Sequence, residues 1–267
     1  MAAMRDRRGT FGEATGPYES GRVGYSEPLV EGVLAYAALE AGAPVLEAGA
    51  GTGKATVPFA ARGLALTCVE PDPRMARVLR RNISAYPQVS VVESPLEDYT
   101  GLHRGFGLLI AAQSWHWIHA EERLNLAVRA LRPGGVLALL WNSHILPAGR
   151  LRDDLRALHD VYDLAAPGQH TLRDPFPEDD DVWASTPSGR ELAADTRFAD
   201  LDFRIYQATH PFTTGRYLDL LLSLSSYRVL PQERRSALLA EVRSIVDGHG
   251  GSFTMQTSEL IQLARVL

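Results

Sequence analysis

The nine residues Val45-Leu46-Glu47-Ala48-Gly49-Ala50-Gly51-Thr52-Gly53 constrain this chain more than any other stretch. Three glycines at alternate positions follow a short apolar run, and Lys54 to Ala61 then has the composition of a helix. Glycine lacks a Cβ, so such a turn takes positive φ and lets a ligand lie close to the main chain. The turn also delivers free backbone amides at a helix N-terminus, which favours electron-rich ligand groups. A second apolar run, Leu66 to Val69, ends in Glu70, twenty-one residues beyond Gly49. An acid at the tip of the second strand is placed to accept hydrogen bonds from both hydroxyls of a ribose. Turn and acid together read as an adenosine-binding βαβ unit.

Spacing separates the ligand classes that use such turns. A dinucleotide fold requires G-x-G-x-x-G/A, and Lys54 stands at the sixth place counted from Gly49. A phosphate loop requires a glycine where Ala48 stands and a hydroxyl where Ala55 stands. What remains, E-x-G-x-G-x-G, resembles the first motif of the class I S-adenosylmethionine (SAM) methyltransferases. In that family the glycines face the methionine moiety of SAM and the second-strand acid holds the ribose. The resemblance implies SAM as cofactor, with S-adenosylhomocysteine as product, and a cofactor set of Glu47, Gly49, Gly51, Gly53 and Glu70. It adds Pro71 and Met75 at the adenosine edge, although Met75 fits a core position equally well. An ordinary glycine turn without a ligand is the plainer alternative.

Bulk properties narrow the function further. With 267 residues, 45% hydrophobic and 8% aromatic, the chain has enough apolar material for a full globular core. A formal charge of −5 provides no broad basic surface, which argues against a nucleic-acid partner. The single cysteine, Cys68, lies inside an apolar run, excludes an intramolecular disulfide and fits a reducing cytoplasm. No apolar run reaches the length of a membrane span, and MAAMRDRRGT lacks the apolar segment of a signal peptide. Oligomeric state is not legible.

Taken in order, residues 11–25 read as a glycine-rich loop with aromatic punctuation. In the family a segment like this folds over cofactor and substrate, which makes Tyr18, Arg22 and Tyr25 candidates for the acceptor site; packing the loop down is the alternative for all three. Ser26 or Glu27 opens a helix to about Glu40, closed by Gly42. A helix from about Arg74 to Ala85 and a strand over Val89–Val92 follow. The next loop in the family stacks an apolar residue on the adenine and sets polar groups near its amino nitrogen. Leu96 would be the stacking residue, with Ser94 or Glu97 as the polar neighbour.

Phe106 to Ala112 is a continuous apolar run, as expected of a central parallel strand. Ala112 and Gln113 close it on the cofactor side, and Ser114-Trp115-His116-Trp117-Ile118-His119 continue into a loop beyond the carboxyl end of the strand. His116 suits a general base, its ordinary pKa being near neutrality. The run A-Q-x-x-H-W, however, resembles a broad branch of small-molecule methyltransferases with varied acceptors, so loop-orienting or substrate-shaping is the competing role. His119 borders the next helix. L-R-P-G-G at 131–135 is a further landmark of the family, read as a helix stop and turn before a fifth strand, Val136–Trp141. Trp115, Trp141 and Asn142 complete the candidate acceptor residues.

Residues 150–164 read as an amphipathic helix, followed by the proline- and acid-rich stretch Pro175–Asp181. Consecutive loop carboxylates are more often solvated than metal-binding, so no metal is expected. Phe203–Phe212 and Phe253–Ala264 read as closing strands around helices beginning near Thr214 and Pro231.

The expected architecture is therefore α/β: a Rossmann-like sheet of seven strands, six parallel and one antiparallel, with helices on both faces and a helical lid. The chain reads as a single methyltransferase domain over 1–267, with a SAM-binding core at about 26–145, a lid insertion at about 146–196 and a closing hairpin with helical insertion at about 200–267. The expected activity is methyl transfer from SAM to a small organic acceptor, such as a natural-product intermediate, in the cytoplasm. The alternatives are a SAM-binding cyclase or isomerase on the same fold, a nicotinamide dehydrogenase, and a regulatory protein with a degenerate site.

Overall fold

The computed structural model describes residues 15–40, 42–164, 171–172 and 186–267. The first element, α1 (Thr15–Gly21), stands where the sequence suggested a loop. Tertiary packing overrides its glycines: a Cβ on Gly21 would lie 2.3 Å from the backbone nitrogen of Leu220, so only glycine allows this approach. Helix α2 (Glu27–Ala37) begins where expected, with the Ser26 side chain accepting from the Leu29 amide and Pro28 in its first turn. Ala38, not Gly42, closes it, at φ 45 with its N–H bonded to the Leu34 carbonyl.

Strand β1 (Val45–Ala48) leads through the glycine turn into the short helix α3 (Thr56–Ala60), then β2 (Leu66–Val69). Helix α4 (Pro73–Asn82) is opened by the Asp72 carboxylate, which accepts from the Arg74 amide at 2.8 Å. Strand β3 (Ser90–Val92) precedes a 3₁₀ turn at Leu96–Asp98. Strand β4 (Phe106–Ala112) covers the predicted run and ends in a 3₁₀ turn at Trp115–Trp117. After α5 (Arg123–Ala130), β5 (Leu131–Ile145) starts five residues before the expected strand. Leu131-Arg132-Pro133-Gly134-Gly135 is thus an irregularity within the strand rather than a turn before it. Phe106 pairs with Leu131 and Leu108 with Val136, and Gly134 takes φ 75 to absorb the extra residues.

Helix α6 (Arg150–Val161) matches expectation, and α7 (Pro187–Ala194) was not foreseen. The acidic stretch Pro175–Asp181 lies outside the described residues. Strand β6 (Phe198–Thr213), α8 (Thr214–Leu222), α9 (Ser225–Arg228), α10 (Gln232–Gly248) and β7 (Ser252–Val266) complete the described chain.

The seven strands run in the order β3-β2-β1-β4-β5-β7-β6, six parallel and one antiparallel. The order reverses at β1, which pairs with β2 on one side and β4 on the other. Ligands of open α/β sheets bind at such a reversal, beyond the carboxyl ends of the strands.

The chain folds into two compact units. Of the described residues, one holds 24–40, 42–142, 186–206 and 259–267; the other holds 15–23, 143–164, 171–172 and 207–258. In the first, alternate strand residues feed two cores, as a period of two requires. Val45, Cys68, Leu108, Ile110 and Ala138 pack with α2 and α3 through Leu29, Val33 and Phe59. Leu46, Val69, Leu109, Ala111 and Leu137 pack with α5 and α7 through Leu126, Ala130 and Leu192. The second unit has a core of its own around Leu155, Tyr217, Leu221, Tyr227 and Leu238. The stretch expected as one lid, 146–196, is shared between them, with α6 in the second unit and α7 in the first.

Candidate functional site

The candidate site lies in the first unit, at the carboxyl ends of β1, β2 and β4. Gly49, Gly51 and Gly53 take φ values of 67, 60 and 94, a region costly for any residue with a Cβ. Protein side chains also crowd two of the three. A Cβ on Gly49 would lie 2.6 Å from the Ser114 Cβ, and one on Gly53 2.8 Å from Leu79 Cδ1. Four amides of the turn, expected to be free, have acceptors within the protein. Gly49 and Ala50 donate to the Val69 carbonyl, Gly53 donates to Ala50, and Gly51 donates to the Glu70 carboxylate at 2.7 Å. Tight positive-φ curvature folds these N–H groups back onto neighbouring acceptors, and α3 begins only at Thr56.

Glu70 is the centre of polarity. Oε2 accepts from the Gly51 amide and Oε1 from the Asp72 amide at 2.9 Å. The side chain is 6% exposed, and burial pushes its carboxyl up to about 7 against the pull of those two amides. Glu47 lies beneath the turn, 1% exposed. Its Oε2 accepts from Thr56 Oγ1 at 2.7 Å, its Oε1 has no partner among the described residues, and burial pushes its carboxyl up to about 8. Thr52 Oγ1 is likewise buried without a partner among them. Asn82 Nδ2 ties the turn to α4 by donating to the Thr52 carbonyl at 2.8 Å.

The strand ends beside the turn are held together by short polar contacts. Ser114 Oγ donates to the Ala48 carbonyl at 2.5 Å, joining β4 to β1. Gln113 adopts φ 55, an uncommon conformation for a residue with a side chain, and its Nε2 donates to the Asn142 carbonyl at 2.5 Å. Asn142 Nδ2 donates to Gly24 O at 3.0 Å, and its Oδ1 is buried without a partner among the described residues.

A model of a methyltransferase domain matches residues 45–135, which run from β1 into β5. An "uncharacterized methyltransferase" of Mycobacterium tuberculosis is 30% identical over 247 residues, 92% of this chain and 89% of that protein. The chain belongs to the class I SAM-dependent methyltransferases.

Solved structures agree on the fold. The methyltransferase superposes on a chain described as a type II methyltransferase of Anaeromyxobacter dehalogenans with TM-score 0.62 at 20% identity, covering 92% of this chain and 98% of that one. A phosphoethanolamine N-methyltransferase 2 of Haemonchus contortus, solved with phosphomonomethylethanolamine and S-adenosylhomocysteine, gives TM-score 0.54 at 15% identity, covering 98% of this chain and 59% of that one.

The residues of the methyltransferase suit SAM. Each oxygen of Glu70 uses one lone pair on a backbone amide and keeps another for a ribose hydroxyl, and Thr52 Oγ1 in the same turn is unpartnered among the described residues. The remaining candidates for the cofactor site fall as follows. Pro71 is exposed beside Glu70; Met75 and Leu96 are 4% exposed and packed inward. Ser94 Oγ donates to the adjacent Pro95 carbonyl, and Glu97 accepts from the His119 amide at 3.2 Å. Ala112 closes β4 and packs partly exposed on the α2-side core.

Candidate acceptor residues separate more sharply. His116 is exposed, its ring 5.6 Å from Trp141 in a near-parallel stack and 4.7 Å from Trp117. Trp115 is 0% exposed in the core beneath α5, with the Arg123 guanidinium over its ring, and presents no surface to an acceptor here. Tyr25 packs against the α2-side core. Tyr18 and Arg22 belong to the second unit, where Arg22 lies over the Tyr18 ring and donates to Ser223 Oγ at 2.8 Å. Among the described residues no His, Cys, Asp and Glu cluster could hold a metal ion, and no helix is long and apolar enough to cross a membrane.

Sequence reasoning passed over Ser114, Thr56, Asn82 and Gln262. Ser114 carried a faint signal, its place directly after β4. The other three act through partners 9, 30 and 121 residues away in sequence, which no local pattern reveals.

Proposed function

We propose that this methyltransferase methylates a small organic acceptor, of the kind met as natural-product intermediates, and does so in the cytoplasm. The observation that carries the reading is the exposed His116 ring, past the carboxyl end of β4, stacked on Trp141 of β5. An aromatic surface of that size suits a compact organic molecule, and a net charge of −5 does not suit nucleic acid. The buried single thiol of Cys68 accords with a reducing compartment.

In this reading Glu70 holds the ribose, Gly49, Gly51 and Gly53 flank the methionine portion, and Glu47 supports the turn from below. Leu96, Ser94, Glu97, Pro71, Met75, Ala112 and Gln113 border the adenosine. When bound, SAM supplies an electrophilic methyl group; the chain's own residues orient the acceptor and exclude water. His116, with its ring against Trp117 and Trp141, shapes the acceptor site rather than removing a proton. Trp141, Tyr25 and Asn142 complete the proposed acceptor set in the first unit.

Titration calorimetry with SAM, S-adenosylhomocysteine and NAD, on the natural protein and on Gly51→Val and Glu70→Ala, tests the cofactor site. Micromolar affinity for the two adenosyl ligands only, lost in both variants, is expected. Incubating the protein and SAM with a library of small organic compounds, read by mass spectrometry, tests the activity. A product heavier by one methylene supports methyl transfer. An isomer of unchanged mass would overturn it.

A further inference from the structure

Gln262 on β7 is 0% exposed and makes three side-chain hydrogen bonds. Its Oε1 accepts from the indole Nε1 of Trp141 at 3.1 Å and from Ser188 Oγ at 2.6 Å. Its Nε2 donates to Thr186 Oγ1 at 2.7 Å, and Thr186 in turn caps α7 by accepting from the Gly189 amide. A primary amide in a protein interior is costly unless its groups are satisfied, and an aliphatic side chain would fill the same space without that demand.

The beneficiary is an indole that has little need of help. Trp141 is partly exposed, so its N–H could be satisfied by water. Trp115, two elements earlier and 0% exposed, has an N–H with no partner among the described residues. The built partner therefore serves orientation rather than burial. It fixes the plane of Trp141, and through the 29° stack at 5.6 Å it fixes the plane of His116, which also meets Trp117 at 4.7 Å. A stacked surface discriminates between ligands only when its planes are held, because ring–ring attraction depends on angle and offset.

We propose that the acceptor is a planar π-bonded ring system lying against the Trp141–His116 surface, and that Gln262 is the positioning residue that holds this surface at its working angle. The proposal deepens, and rests on, the small-molecule methyltransferase reading. Gln262 acts through Trp141; it does not touch the acceptor.

The test uses full-length protein loaded with S-adenosylhomocysteine and two probes of similar size, planar 2-naphthol and saturated decahydro-2-naphthol. Calorimetry should show the planar probe binding about tenfold more tightly, the scale of one or two good ring contacts. That preference should vanish in Trp141→Leu and in Gln262→Met, with affinity for S-adenosylhomocysteine unchanged. Gln262→Glu keeps the acceptor oxygen and should restore the preference. Heteronuclear NMR supplies a readout that simple packing would not move: the Trp141 indole N–H signal, assigned with Trp141→Phe, should shift upfield in Gln262→Met and return in Gln262→Glu. Equal affinities for the two probes, no binding of either, or a preference that survives Gln262→Met would overturn the proposal. Failure of the natural protein to bind S-adenosylhomocysteine would instead strike the reading beneath it.

Discussion

Ser114 occupies the space that a side chain on Gly49 would need. An ideal Cβ on Gly49 falls 2.6 Å from the Ser114 Cβ, and the Ser114 hydroxyl bonds the carbonyl of Ala48, one residue before that glycine. The glycine turn is thus locked to the end of the central strand by protein contacts before any ligand arrives.

Gly49→Ala should therefore lose stability on two counts, steric overlap and φ 67 for a residue with a Cβ. We expect a loss of about 2–4 kcal/mol in chemical denaturation. Adding Ser114→Gly should recover the steric share and leave the conformational one. A double variant no more stable than Gly49→Ala would show that the overlap is relieved elsewhere.

Glu47 makes stability pH-dependent. Burial raises its carboxyl from 4.5 to about 8, so its contribution is complete below pH 4.5 and lost as pH rises through about 8. Glu70, raised to about 7, acts in the same sense in the cofactor-free protein. Denaturation midpoints should fall from about pH 5 to about pH 8, with a slope of up to about 1.4 kcal/mol per pH unit for each proton taken up on folding. Glu47→Gln keeps the Thr56 contact and should flatten part of that slope.

With Glu70 holding the ribose as proposed, cofactor binding should depend on pH in the opposite direction. Ribose hydroxyls donate to the ionised carboxylate, so affinity for SAM should rise between about pH 6 and about pH 8 and then level off. Glu70→Gln should weaken binding roughly ten- to hundredfold and remove the pH dependence. Calorimetry at three pH values decides it.

His116→Phe keeps the ring between Trp117 and Trp141 but cannot accept a proton. Once an acceptor is in hand, kcat should stay within about tenfold, whereas His116→Ala should raise KM for the acceptor. A loss of about 100- to 10,000-fold in His116→Phe would identify a general base.

Gly21→Ala should destabilise the second unit, because a Cβ there meets the Leu220 backbone at 2.3 Å. Gly16→Ala in the same helix meets nothing within 4 Å and should be neutral or slightly stabilising. Thermal melts and limited proteolysis of the pair separate packing from helix propensity. Equal melts would mean that Gly21 is not the point of closest approach.

The sequence alone determined the βαβ core around the site. The glycine turn and the strands Leu66–Val69 and Phe106–Ala112 are legible because their signals are local: conformational freedom at glycine, and apolar runs buried on both faces. Glu70 was legible for the same reason, its place at a strand tip following from counting residues. Local rules failed where partners are distant. Residues 15–21 carry two glycines and read as a loop, yet packing against Leu220 makes them a helix; L-R-P-G-G reads as a turn, yet pairing with β4 draws it into a strand. Trp115 and Trp141 look alike in sequence, and only the fold buries one beneath α5 and gives the other a glutamine 121 residues away. The tertiary structure likewise gave four amides of the glycine loop acceptors within the protein. The direction of a hydrogen bond and the depth of a side chain depend on which surfaces meet. That is a property of the assembled chain and not of any window along it.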